Sequence, residues 1–198
     1  MQIKVVNEIH EGSNGVKGYP LYLNLEGKHC LVFGGGEVAY RKIQALLKRG
    51  AKVTCISQEF CGPLKKYVGA ALRGRPKNSG QTQLRSAPTL RLKRIEGRQI
   101  EINGARLVVA ATSDRKFNAR VAAACRRKGI WVNVVDDPEL CDFYVPAVLE
   151  RGPLQVAVST GGASPLFAKR LREALEKVIP ASTGKLLEKI GKMRRGRP

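Results

Sequence analysis

The chain has 198 residues, of which 43% are hydrophobic, enough for one domain of ordinary size with a real core and a small appendage. It contains no run of about 18 apolar residues, which excludes a membrane-spanning helix, and the polar stretch Met1–Gly18 lacks the apolar centre of a signal peptide, so a cytoplasmic protein is expected. A formal charge of +20 calls for an anionic partner, while five scattered cysteines, none in a CxxC pair, argue against a disulfide framework or a zinc knuckle.

Residues 1–18 read as a loose leader, with Gly12, Ser13, Asn14 and Gly15 clustered. Tyr19–Leu25 alternates apolar and polar residues and predicts a short strand, followed by a turn at Glu26-Gly27-Lys28. His29–Phe33 is a continuous apolar run ending in glycine, the pattern of a strand buried on both faces of a parallel sheet. Val38–Arg49 predicts a helix whose apolar face is Val38, Ile43, Leu46 and Leu47, stopped by Gly50. Lys52–Ile56 predicts the next strand and Glu59–Leu72 a helix, so the first half reads as a βαβ unit. Arg73–Pro88, rich in Gly, Pro, Ser, Gln and Arg, reads as an exposed loop. Strands are predicted at Thr89–Glu96, Arg106–Ala111 and Ile130–Val135, with a helix at Phe117–Lys128 stopped by Gly129. Phe143–Val148 and Leu154–Ser159 form a predicted hairpin through Glu150-Arg151-Gly152-Pro153. Ser164 and Pro165 begin a helix as N-cap and first-turn proline, running to about Val178, and Thr183–Met193 predicts a last amphipathic helix. The fold class is α/β, a Rossmann-type parallel sheet.

Three constellations carry chemistry. Gly34-x-Gly36-x-x-Ala39 lies between a buried strand and a helix, where the first glycine allows a tight turn, the second lets the backbone approach a pyrophosphate, and the small third position lets helix and strand pack closely. The helix start then offers free N–H groups to phosphate. Gly34, Gly35, Gly36, Glu37 and Val38 are therefore expected at a dinucleotide, the alternative being a glycine-rich connector in another α/β protein. At the ribose position, Ser57 or Gln58 stands where an acid usually ends the second strand and Glu59 follows slightly late. No arginine directly follows to claim a 2′-phosphate, which favours NAD over NADP. The second constellation is Asn133-Val134-Val135-Asp136-Asp137-Pro138 at the end of a buried strand, where an acid can take a proton as hydride leaves the substrate. Turn chemistry before proline is the equal alternative for Asp136 and Asp137. The third is Ser159-Thr160-Gly161-Gly162-Ala163-Ser164-Pro165, which can cradle carboxylates or form a plain capped turn. Only His10 and His29 are present, so no preformed metal site of the usual kind is expected.

Tyr19-Pro20-Leu21-Tyr22-Leu23 before Gly34–Ala39 with Arg41-Lys42, then Ala110-Ala111-Thr112-Ser113-Asp114 with Asn118, then Asn133–Asp136, then Pro153–Pro165 with Leu171-Arg172, occur in an order that resembles the precorrin-2 dehydrogenase family, which includes the N-terminal module of siroheme synthase. The likeness covers about residues 19–180. It implies hydride transfer from precorrin-2 to NAD, giving sirohydrochlorin, with Asp136 matching the family's proposed general base, which in bifunctional members also aids iron insertion. It implies cofactor contacts from Glu37, Val38, Gln58 and Glu59, with Ser57, Thr112 and Val134 expected beside them, and substrate contacts from Asn133, Ser159, Thr160, Gly161 and Ser164. Thr160 falls where some members carry a phosphorylatable serine. The resemblance further implies a homodimer exchanging the region from about Val145 to Pro165. The expected domains are then a Rossmann domain at 1–144, a dimerisation segment at 145–165 and a small helical part at 166–198.

A polycarboxylate tetrapyrrole accounts for the charge: no acidic residue lies between Glu59 and Glu96, a stretch holding Lys65, Lys66, Arg73, Arg75, Lys77, Arg85, Arg91, Lys93 and Arg94. That stretch lacks interleaved aromatics, so nucleic acid is not expected as partner. It is longer and more basic than the family pattern, the C-terminal helical part is expected to be shorter, and no methyltransferase domain is expected. Two other readings are a bifunctional dehydrogenase and ferrochelatase, and an NAD-sensing module without catalysis.

Overall fold

Five short segments pair side by side in parallel in the computed structural model, which describes residues 18–73, 89–95 and 99–195. They are β1 (His29–Phe33), β2 (Lys52–Ser57), β3 (Thr89–Arg94), β4 (Leu107–Ala110) and β5 (Trp131–Val134), in the order β3-β2-β1-β4-β5. The sequence order reverses between β1 and β4, and the crevice outside the carboxyl ends of these two strands is where open parallel sheets take their ligands.

Helices cover both faces. On one face α1 (Glu37–Lys48) buries Ala39, Ile43 and Leu47 against Cys30, Val32, Val53 and Cys55, and α2 (Gly62–Arg73) adds Leu64. On the other, α3 (Arg115–Arg127) buries Phe117, Val121, Ala122 and Cys125 against Leu31, Phe33, Val108 and Val132. The rings of Phe33 and Phe117 meet edge to face with centroids 5.7 Å apart, tying the end of β1 to the start of α3. Because alternate residues of β1, β2 and β4 serve the two faces, the centres of these strands carry apolar residues on both sides, as Cys30–Phe33, Cys55-Ile56 and Leu107–Ala110 do.

Two compact units partition the chain, one of residues 21–144 and one of 1–20 with 145–198, each taken here by its described part. The second contains an antiparallel pair, β6 (Ala147–Arg151) and β7 (Leu154–Val158), and two helices, α4 (Pro165–Val178) and α5 (Ser182–Arg195). The Arg151 guanidinium donates to the carbonyl oxygens of Glu176 at 3.1 Å and Ile179 at 3.0 Å, tying the hairpin to the end of α4. Among the described residues no helix is long and apolar enough to cross a membrane.

One expected element is absent: residues 19–25 join no strand ladder. Their alternation reports burial instead, since Leu23 and Leu25 reach the core beneath α1 while Tyr22 and Asn24 face outward, and burial alone does not supply an edge to pair with. The expected leader (except Gly18) and all but the first residue of the expected loop at 73–88 lie outside the described residues.

Candidate active site

The three glycines after β1 have different reasons to be glycine. Gly34 has φ +116°, and a Cβ there would sit 2.3 Å from the Ala111 carbonyl oxygen, where the chain leaves β4. A Cβ on Gly35 would sit 1.9 Å from the Glu59 carbonyl oxygen, because the segment after β2 folds over this turn and the Cys61 N–H donates to Gly35 O at 2.8 Å. Gly36 is unlike both. Its φ of −82° and ψ of −176° suit any residue, and a Cβ there would meet nothing within 4 Å. Gly36 is also the N-cap of α1, with no side chain closing the helix end. The chain's own packing therefore accounts for Gly34 and Gly35 but not for Gly36. The open space at an uncapped helix N-terminus is the cradle a pyrophosphate needs, so the residues present fit a dinucleotide. Ala39, the small third position, is 1% exposed. Glu37 and Val38 are exposed on the first turn of α1.

At the end of β2, Ser57 is half-buried while Gln58 and Glu59 are exposed on the same edge of the sheet. Beyond β4 the turn is held by buried Asn118, whose Nδ2 donates to Thr112 O at 2.9 Å and whose Oδ1 accepts from Thr112 Oγ1 at 2.6 Å. Asp114 caps α3 by accepting from the Phe117 N–H at 2.9 Å. Thr112 is thus fixed beside Gly34, on the far wall of the crevice.

Asp136 follows β5 by two residues, on the same carboxyl edge as the glycine turn. Its φ is +59°, the single positive value at a non-glycine residue among the described ones. Its side chain is exposed. Left-handed backbone is costly for most L-residues and least so for Asp and Asn. Lys42, on α1, faces this turn: burial pulls its ammonium below the ordinary lysine range, Cys141 and Asp136 act in the opposite sense, and Arg41 adds to the depression.

Two residues of the expected set are buried. Val134 is 3% exposed and packs in the core beneath α3, with its backbone N–H donated to Cys141 Sγ, so its side chain does not reach the open edge. Asn133 is 7% exposed, and its Nδ2 donates to Phe143 O at 3.0 Å. These neighbours point to opposite faces of the sheet, and both faces are covered.

Ser159, Thr160, Gly161 and Ser164 belong to the second unit, where they close the turn before α4. Ser164 Oγ accepts from the Phe167 N–H at 3.2 Å, Thr160 Oγ1 from the Ser164 N–H at 3.0 Å, and Ser159 Oγ from the Gly161 N–H at 3.2 Å. Ser164 is the N-cap of α4, followed by Pro165 at the first turn.

Comparison with known proteins fits this geometry. A family model described as "Putative NAD(P)-binding" matches residues 21–147, and a second, "Sirohaem biosynthesis protein central", matches residues 151–177. Siroheme synthase of Methylococcus capsulatus is 45% identical over 167 residues, covering 84% of this chain and 32% of that protein. Siroheme synthase of Nitrosomonas eutropha is 41% identical over 172 residues, covering 85% of this chain and 32% of that protein. The chain thus spans about a third of the length of the curated relatives it matches. The solved structure of SirC, a precorrin-2 dehydrogenase, superposes with a TM-score of 0.67 at 27% identity, covering 86% of this chain and 76% of that one. With the sheet order, the glycine turn and a match over most of its length in agreement, the chain belongs to the NAD(P)-binding family whose model spans residues 21–147.

Proposed function

We propose that this protein is an NAD-dependent dehydrogenase that oxidises precorrin-2 to sirohydrochlorin in siroheme biosynthesis, acting in the cytoplasm. The observation that carries the reading is Asp136, held in left-handed backbone on the sheet edge that also presents the Gly36 cradle. A backbone cost at one exposed carboxylate beside a cofactor crevice points to function rather than packing. The oxidation removes a hydride and a proton from the macrocycle. The dinucleotide, when bound, supplies the two-electron acceptor. The Gly36 end of α1 would hold it, with Gly34 and Thr112 shaping the adjoining turn, and the Asp136 carboxylate would take the proton. The relatives named siroheme synthase and the neighbour named precorrin-2 dehydrogenase support the choice of substrate. So does the charge of +20, which draws a polycarboxylate substrate to the protein.

The working form is a homodimer. Among the described residues of the second unit only Leu149 and Ala168 are buried hydrophobics, while Phe167, Val178, Leu186 and Met193 stand more than half exposed. A lone two-stranded sheet is marginal in water, so this unit needs a further apolar surface, and a second copy supplies one. Sedimentation equilibrium should return twice the 21.7 kDa chain mass; a monomer across the micromolar range would reject the dimer.

The reaction is tested with precorrin-2 generated in place, NAD⁺ and no added metal. The sirohydrochlorin spectrum should appear with the wild type and fail with Asp136→Asn. NAD⁺ binding without turnover by either protein would favour a sensing module.

A further inference from the structure

We propose that Cys141 is a positioning residue for this reaction, a thiol that clips the segment after β5 so that Asp136 is presented to the crevice. The inference rests on the reading of Asp136 as the base. Cys141 Sγ accepts the Val134 N–H at 3.1 Å and the Asn133 Nδ2 at 3.4 Å. Its single hydrogen is shared between Val134 O at 3.2 Å and Asp137 O at 3.3 Å. The thiol thereby closes a ring whose two ends flank Val135 and Asp136. One end is the last residue of β5, which the sheet fixes: Val135 N donates to Ala110 O at 2.9 Å. The other is Asp137, beside the left-handed residue.

The rest of the loop reinforces the same closure. Asp142 N donates to Val132 O at 2.8 Å, and Asp142 Oδ2 accepts from Val132 N at 3.0 Å. Within the loop, Leu140 N donates to Asp137 O and Cys141 N to Pro138 O, at 3.2 and 3.1 Å. These bonds close the base of the loop, while the turn at Val135 and Asp136 is held by the clip together with the Asp137 N–H, which donates to Val134 O at 3.4 Å. Burial pushes the Cys141 thiol up, and the neighbouring carboxylates Asp137 and Asp142 push the same way, against the Val134 backbone bond and Lys42. The group therefore stays a thiol, able both to donate and to accept, which a thiolate could not do. No covalent chemistry is assigned to it.

The test compares Cys141→Ala, Cys141→Ser, Asp136→Asn and the double variant Asp136→Asn/Cys141→Ala, each in the full chain, by steady-state turnover and NAD⁺ affinity. A base displaced by a fraction of an ångström to an ångström should lower kcat roughly 10- to 100-fold, with the NAD⁺ Kd unchanged because the Gly36 cradle is untouched. Serine, with a shorter arm but both bonding roles, should fall between wild type and alanine. In the Asp136→Asn background Cys141→Ala should cost nothing further in residual kcat, since a residue acting through another is non-additive with it. A merely structural thiol would lower the residual rate again. Wild-type kcat in Cys141→Ala, or additive losses, would overturn the proposal. Should the alanine variant fail to fold, the serine variant decides: a severalfold lower kcat at unchanged NAD⁺ Kd supports the clip, and wild-type kcat overturns it. If Asp136→Asn itself turns over normally, the reading of the base fails rather than the clip.

Discussion

Replacing Gly36 by alanine separates what the fold needs from what a ligand needs. The backbone at Gly36 is extended, and the added Cβ meets nothing within 4 Å, so the free protein has no steric reason to resist it. Alanine is a slightly poorer N-cap than glycine but restricts the unfolded chain more, and these effects oppose each other at about 0.5–1 kcal/mol each. The melting temperature should therefore stay close to that of the wild type. Binding should not. A methyl in the cradle holds the pyrophosphate off the α1 N–H groups, and losing one charge-assisted hydrogen bond costs about 1.5–3 kcal/mol, so the NAD⁺ Kd should rise roughly 10- to 150-fold. Calorimetric titration of NAD⁺ reads the second quantity and thermal unfolding the first. Gly34→Ala and Gly35→Ala are the controls: their methyl groups would press on Ala111 O at 2.3 Å and Glu59 O at 1.9 Å, so both should lose stability whether or not NAD⁺ is present. Unchanged NAD⁺ affinity in Gly36→Ala, or a melting temperature that falls as far as in the controls, would refute the assignment of the cradle.

Asp136→Gly should abolish most turnover yet leave the unfolding free energy within about 1 kcal/mol of the wild type in denaturant titration, because relief of the left-handed backbone and the added freedom of glycine in the unfolded chain oppose each other. Asn118→Ala strips the Thr112 turn of its side-chain partners and should destabilise the protein by about 1–3 kcal/mol, with weaker NAD⁺ binding in the folded fraction. Lys65→Gln with Lys66→Gln should raise the KM for the tetrapyrrole more at low salt than at high salt and leave NAD⁺ affinity alone, as expected for screened attraction from exposed α2 positions. Under native conditions Cys30, Cys55 and Cys125 should resist alkylation, since burial pushes their thiols up to about 11, 12 and 11; rapid labelling of any of them, read by peptide mass spectrometry, would contradict the core described above.

The central strands of the parallel sheet were legible because they are short, mostly apolar runs bounded by glycine or polar turns, β3 by its alternating Leu90 and Leu92, and the glycine turn because it sits between such a run and an amphipathic helix. Tyr19–Leu25 misleads for the same reason: alternation records which side chains are covered, and Leu23 and Leu25 are covered without any ladder. The burial of Asn133 and Val134 is not visible in a linear reading, since proximity to Asp136 along the chain does not say that both faces of β5 are covered. Cys141 gave no signal at all. Its partners Asn133, Val134 and Asp137 lie four to eight residues back, and only the shape of the intervening loop brings the thiol onto them. The different reasons for Gly34, Gly35 and Gly36 were likewise invisible, because they depend on where Ala111 and Glu59 pass in space.

The most direct test of the central claim is NADH formed per sirohydrochlorin released, measured without metal for wild type and Asp136→Asn, with the NAD⁺ Kd of each determined alongside. The account predicts equal amounts of the two products for the wild type, and for the variant only a small residual turnover at an unchanged Kd. Full turnover by Asp136→Asn, or sirohydrochlorin formed without NADH, would contradict it.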